Sequence, residues 1–196
     1  MELVRRSGWG AAPPKGKPLQ IATPVAALFL HHSVSPDGSH QRVRDIQRFH
    51  QQTRGWADIA YTWLYSPSHR IWFEGRGPGI GGAHTRGHNK RSHAVCVLGN
   101  YEVERPAPHV VQDLADFARW HGTSWGPNRF QGHRDVGSTA CPGKHLYGLI
   151  RDINLYAEAD MTPADQQATR NWITKRVETA YGSYDVWEQA VREAEL

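Results

Sequence analysis

Val25-Ala26-Ala27-Leu28-Phe29-Leu30-His31-His32 is an unbroken apolar run closed by two imidazoles. Both alternating sets of positions are apolar, so the run reads as a strand buried on both faces, inside a sheet covered by helices. It is far shorter than the ~20 apolar residues that cross a membrane. Upstream, about 24 residues rich in Pro, Gly and Lys read as an arm lying on the surface. Downstream, Asp37-Gly38-Ser39 offers a turn and a helix start, with Val43, Ile46 and Phe49 following at helical spacing. Residues 59–65 and 70–74 are β-rich and joined by Ser66-Pro67-Ser68-His69, which reads as a hairpin. Residues 75–87 hold six glycines and read as a loop crossing close to something. Residues 94–98 form a second buried strand, and Val110, Val111, Leu114, Phe117, Ala118 and His121 mark an amphipathic helix. A short strand at 130–133 and a helix carrying Leu146, Leu149, Ile150 and Ile153 follow. Strands mixed with helices predict an α/β domain over residues 1–155, with a mixed central β-sheet flanked by helices.

Composition bounds the function. The 196 residues are 39% hydrophobic with eight Trp, enough for a real core and against global disorder. Two cysteines, Cys96 and Cys141, exclude a disulfide framework. The formal charge is +4, but four basic and seven acidic residues between 160 and 196 leave +7 on the first 159. A basic domain suits a polyanion, nucleic acid or anionic cell wall, and no nucleic-acid motif accompanies the charge. Met1-Glu2-Leu3-Val4-Arg5-Arg6 lacks the apolar segment of a signal peptide, so a cytoplasmic site of synthesis is expected. From Tyr156 the character changes. Thr162-Pro163-Ala164-Asp165 starts a helix, and Ala168, Trp172, Val177 and Tyr181 give it an apolar stripe. Residues 156–196 read as a helical extension packed on the main domain, with self-association or partner binding through 160–196 as the other reading.

The chemistry gathers at strand ends. His31 closes one strand, His133 another, and Cys141 follows eight residues later, before Pro142-Gly143. Two imidazoles and a thiolate suit Zn²⁺ and leave a fourth position for water, the pattern of a catalytic rather than a structural site. Spacing alone leaves alternatives open. Among twelve histidines such a triplet arises by chance, Cys141 also reads as a small buried hydrophobe, and His32 competes with His31 because strand neighbours face opposite ways. Tyr61 reads either as a donor to an oxyanion or as one of an aromatic strand face with Trp63 and Tyr65.

The surrounding segments are Leu28-Phe29-Leu30-His31-His32-Ser33, Trp56-Ala57-Asp58-Ile59-Ala60-Tyr61, Glu74-Gly75-Arg76-Gly77 and Gly82-Ala83-His84-Thr85. They continue with Leu98-Gly99-Asn100-Tyr101, Gly132-His133-Arg134-Asp135 and Thr139-Ala140-Cys141-Pro142-Gly143. In this order the chain resembles the family of peptidoglycan recognition proteins and phage or bacterial N-acetylmuramoyl-L-alanine amidases, over about three quarters of its length, from about Val4 to Ile153. The resemblance implies zinc ligands at His31, His133 and Cys141, with His32 left to the core or to support of the ligands. It implies a catalytic Tyr61, and Thr139 as a second polar group aimed at the oxyanion. His84, Arg76 and Asn89 are expected to line the substrate groove, and Cys96 to be buried and inert. Neither His50, His69, His109, His121 nor His145 acquires a role. Pro78-Gly79 stands where many readers of diaminopimelate-type peptides carry Gly-Trp, and the C-terminal extension has no counterpart. The activity implied is zinc-dependent hydrolysis of the amide between N-acetylmuramic acid and L-Ala in bacterial peptidoglycan. The expected setting is a phage or prophage endolysin held in the host cytoplasm, with no nucleic-acid partner and no membrane insertion. The other reading is a non-catalytic peptidoglycan-binding module, disfavoured because such members typically lack the Cys ligand.

Overall fold

Residues 1–159 are described by the computed structural model. The apolar run becomes strand β2 (Ala27–His32), and its alternation decides which way every neighbour faces. Leu28 and Leu30 point into a core shared with Val95, Val97, Val110, Leu114 and Phe117. Phe29 points the other way, to Ala94 and Tyr61. Fully burying a side chain such as Leu28 or Leu30 stabilises the fold by about 1.5–3 kcal/mol. His31 therefore shares the face of Phe29, and His32 the face of Leu30.

Among the described residues, β1 (Glu2–Val4), β2, β3 (Trp63–Ser66), β4 (Ile71–Glu74), β5 (Ser92–Val97) and β6 (Phe130–Gly132) form one sheet in the order β1-β4-β3-β5-β2-β6. Strand β2 runs parallel to both β5 and β6, with His31 opposite Cys96 and Leu30 opposite Gly132. Only the β3–β4 hairpin is antiparallel. Helices α2 (Pro108–Gly122) and α4 (Ile150–Glu158) cover one face, with the short α3 (Lys144–Tyr147) leading into α4. On the other face, α1 (His40–Arg48) and the N-terminal segment bury Leu64, Phe73, Cys96 and Leu98 under Trp9 and Val43. The expected mixed sheet flanked by helices is what the chain forms.

Two local readings need correction. The N-terminal arm is not purely superficial: Glu2–Val4 adds an edge strand, and Trp9 is 0% exposed, with Nε1 donating to the Glu74 carbonyl at 2.8 Å. A three-residue strand is too short to show alternation, which is why composition misled there. Residues 59–62 are loop rather than strand, tied to the chain after β4 by the Gly75 and Arg76 N–H groups, which donate to the carbonyls of Thr62 and Tyr61 at 2.9 Å. Helix α1 is continued by a π-turn, Phe49–Thr53, that buries His50 and Gln51. Helix α4 runs to Glu158, with Tyr156 and Ala157 in the core. The readings placed on residues 160–196, the helical hairpin and self-association, lie outside the described residues. Among the described residues no helix is long and apolar enough to cross a membrane.

Candidate metal centre

The parallel strands β2 and β6 end at the same edge of the sheet, where an α/β fold opens to ligands. His31 sits near the end of β2, and His133 follows β6 in a 3₁₀ turn, His133–Asp135. Cys141 is brought back by a stapled loop. The Arg134 N–H donates to the Cys141 carbonyl at 3.1 Å, the Arg134 guanidinium donates to the Ala140 carbonyl, and the Gly143 N–H donates to the Ala140 carbonyl at 2.7 Å. Asp135 holds the turn, accepting from the Gly132 N–H at 2.8 Å and the Tyr147 hydroxyl at 2.7 Å. Gly143 has φ +89°, and a Cβ there would lie 2.3 Å from the backbone carbon of Tyr101. Only glycine lets this loop pass so close to Tyr101.

One ligand atom from each of His31, His133 and Cys141 lies within 4.8 Å of the others. The His31 Nδ1 to Cys141 Sγ distance is 3.3 Å, and the rings of His31 and His133 are 4.7 Å apart. Tetrahedral zinc with bonds of about 2.0–2.3 Å sets its ligand atoms about 3.3–3.6 Å apart, so this donor set fits zinc in kind, and the His31–Cys141 pair already has that spacing. Burial first, then the neighbouring His84 and His133, lowers the pKa of His31 well below its ordinary value, so its ring is neutral and keeps a lone pair. Burial lowers His133 too. Burial pushes the Cys141 thiol up to about 11, against a backbone hydrogen bond at His32 and the nearby Arg134. His32 turns away, and its Nδ1 accepts the Tyr101 N–H at 3.1 Å.

Tyr61 stands beside the three, its ring 5.4 Å from that of His31. Burial, with Cys96 and Cys141 nearby, raises its pKa well above the ordinary value, so the phenol keeps its proton. Thr139 is exposed next to Cys141 and accepts the Cys141 N–H at 3.2 Å. His84 is buried with its ring 5.6 Å from that of His31, and burial followed by Arg76 lowers it to about 3. Asn89 and Arg76 act on backbone. Asn89 Oδ1 accepts the N–H groups of His84 and Thr85 at 2.9 and 2.8 Å. The Arg76 guanidinium donates to the carbonyls of Ile59, Gly81 and Asp58 at 2.6, 2.7 and 3.3 Å, clipping two loops together. A groove of about 270 Å³ reaches Tyr61 along Ser33, Arg42, Phe49 and His50.

Sequence reasoning missed two neighbours. Thr85 joins His31 to His84 by its hydroxyl. His50 accepts the Ala60 N–H at 3.2 Å, with its ring 5.8 Å from Tyr61. Cys96 is buried, as expected, in the cluster against which Tyr61 packs. Thr85 lies in a quoted segment and His50 outside all of them, and no local pattern announces either contact.

The profile of a family described as N-acetylmuramoyl-L-alanine amidase matches residues 22–144. The human N-acetylmuramoyl-L-alanine amidase is 34% identical over 157 residues, covering 74% of this chain and 27% of that protein. The chain thus spans about a quarter of the length of that relative. Peptidoglycan recognition protein 1 of Mus musculus is 32% identical over 165 residues, covering 80% of this chain and 90% of that one. Wild-type Drosophila PGRP-LB superposes with a TM-score of 0.70 at 27% identity, over 83% of this chain and 98% of that chain. Peptidoglycan recognition protein-LE, solved in complex with tracheal cytotoxin (monomeric diaminopimelic acid-type peptidoglycan), gives a TM-score of 0.71 at 29% identity, over 76% of this chain and 92% of that one.

Proposed function

Since the chain belongs to the N-acetylmuramoyl-L-alanine amidase family, we propose that it hydrolyses the amide between N-acetylmuramic acid and L-Ala in peptidoglycan, with one Zn²⁺ held by His31, His133 and Cys141. The convergence of two imidazoles and a thiol within 4.8 Å, at the open edge of the sheet, carries this reading. A zinc ion there would act as a Lewis acid on the amide carbonyl and lower the pKa of a water toward about 7. The residues do the rest. His31 stays neutral and offers a lone pair; Cys141 must give up its proton to bind. Tyr61 keeps its phenolic proton and can donate it in a hydrogen bond to the oxygen that gains charge as the amide is attacked. Thr139, beside Cys141, offers a second hydroxyl on that side. The groove of Ser33, Arg42, Phe49 and His50 leads to Tyr61 and offers both polar and apolar side chains to a bound peptide or sugar. The +7 on residues 1–159 suits an anionic wall, and the proposed setting of that cleavage is cell-wall lysis of the endolysin kind.

The test is digestion of purified peptidoglycan with the zinc-loaded protein, read by mass spectrometry. Free stem peptides beginning with L-Ala, without new reducing sugar ends, are expected. New reducing ends would overturn the reading, because glycan cleavage needs paired carboxylates. Several relatives are named as recognition proteins, so binding without cleavage is the second reading. Zinc-loaded protein that cosediments with peptidoglycan and releases nothing would establish it instead.

A further inference from the structure

His31 has two ring nitrogens, and the structure gives each a different partner. Nδ1 faces Cys141 Sγ at 3.3 Å; Nε2 faces the Thr85 hydroxyl at 3.2 Å. Thr85 Oγ1 is also 3.0 Å from His84 Nδ1. The three side chains make a line, His31–Thr85–His84, running from the metal side into the protein. All three are buried, Thr85 to 1% exposure. The line is held from behind, since the Asn89 carboxamide accepts the backbone N–H groups of both His84 and Thr85. Gly82 makes room for it: a Cβ there would meet the His84 ring at 2.1 Å.

Hydrogen-bond chemistry gives the line a direction. A neutral imidazole carries one proton, and a ring that offers Nδ1 to a cation must carry it on Nε2. A hydroxyl can accept that proton's hydrogen bond and still donate its own to a third group. Here the third group is His84 Nδ1, which then accepts. The proton of His84 falls on Nε2, which is buried without a partner.

We propose that Thr85 is a positioning residue that fixes His31 in the Nε2–H tautomer, by accepting from His31 and donating to His84, and so aims the Nδ1 lone pair beside Cys141. The proposal rests on the amidase reading for its purpose, though not for its geometry. Outer partners of this kind, on a histidine ligand, typically change metal affinity by about 10–100-fold.

The experiment uses the full chain and two readouts. Ring nitrogen NMR of the metal-free protein reports the tautomer of His31, and competition with a chromophoric chelator reports the affinity for Zn²⁺. Wild type should show a proton on Nε2 of His31. Thr85→Val, which keeps the shape and loses the hydroxyl, should mix the two tautomers and weaken zinc binding by about 10–100-fold. Thr85→Ser should restore both. A wild-type ring protonated on Nδ1 overturns the proposal without any variant. So does a folded Thr85→Val or Thr85→Ala protein with wild-type tautomer and affinity. A wild type that binds no zinc while showing the Nε2–H tautomer would sink the amidase reading and leave the positioning role standing.

Discussion

Cys141 and Cys96 have the same side chain and opposite expectations. Cys141 faces His31 Nδ1, whereas Cys96 lies in mid-strand, 0% exposed, beneath Tyr61. With Co²⁺ in place of zinc, Cys141→Ser should abolish the thiolate-to-cobalt absorption in the near ultraviolet, and Cys96→Ala should keep it. A band that survives Cys141→Ser would show that the thiol is not a ligand. Tyr61→Phe removes one hydroxyl and no packing. It should retain the metal and slow peptidoglycan cleavage by about 10²–10³-fold, the usual cost of one preorganised donor. Unchanged turnover would leave Tyr61 as a packing residue only. The choice between His31 and His32 shows what a single residue can and cannot tell. Adjacent strand positions guarantee that the two rings face apart, but neither the apolar run nor its length says which face stays open.

Elements decide where the loops end. The His133–Cys141 loop works only if Gly143 can pass Tyr101, so Gly143→Ala should destabilise the fold by at least about 1–3 kcal/mol, from a strained positive φ alone. It should also weaken metal binding by moving Cys141. Urea unfolding and chelator competition measure the two effects, and wild-type values in both would remove the loop from the account. Helix α4 supplies a second case. Tyr156 is buried against α2, where the Arg119 guanidinium donates to its carbonyl at 2.7 Å and lies 5.0 Å from its ring. A chain ending at Ala159 keeps every described core residue and should unfold cooperatively. One ending at Ile153 loses Tyr156 and should fall by about 3–5 kcal/mol, as a large aromatic deletion does. Equal stability of the two would contradict this packing. The apolar spacing of Leu146, Leu149, Ile150 and Ile153 marked the helix well. Its last turn was missed because Tyr156 and Ala157 are ordinary on a surface and became core only through α2.

Across the whole molecule, buried neutral histidines set the response to acid. His93 and His121 meet beneath Trp63, with Nδ1 of one 2.9 Å from Nε2 of the other. Burial lowers His93 to about 3 and His121 to about 4. His84 at about 3, and His32 and His50 at about 4, are lowered by burial as well. Above about pH 6.5 these groups are neutral in both folded and unfolded chains and contribute nothing. Below it the unfolded chain takes up protons that the fold refuses, so stability is lost as pH falls toward the folded values. Each such group costs about 1.4 kcal/mol per pH unit in that window. The thermal midpoint of metal-free protein should therefore drop clearly between about pH 7.5 and about pH 5. A flat or rising midpoint would mean that these rings already hold protons in the fold.

What the sequence determined by itself is local: the strand at 27–32, the β3–β4 hairpin, the long helix at 108–122, and a donor set of two imidazoles and a thiol that suits zinc. Each follows from burial preference repeated along a few residues, which periodicity records directly. Tertiary structure alone decided which atoms meet. His31 and Cys141 are 110 residues apart, and Thr85 and His31 are 54. Their contact depends on β5 and β6 pairing with β2 in one register, and a shift of one residue would turn His31 to the face of α2 and α4 and His32 to the face now held by His31.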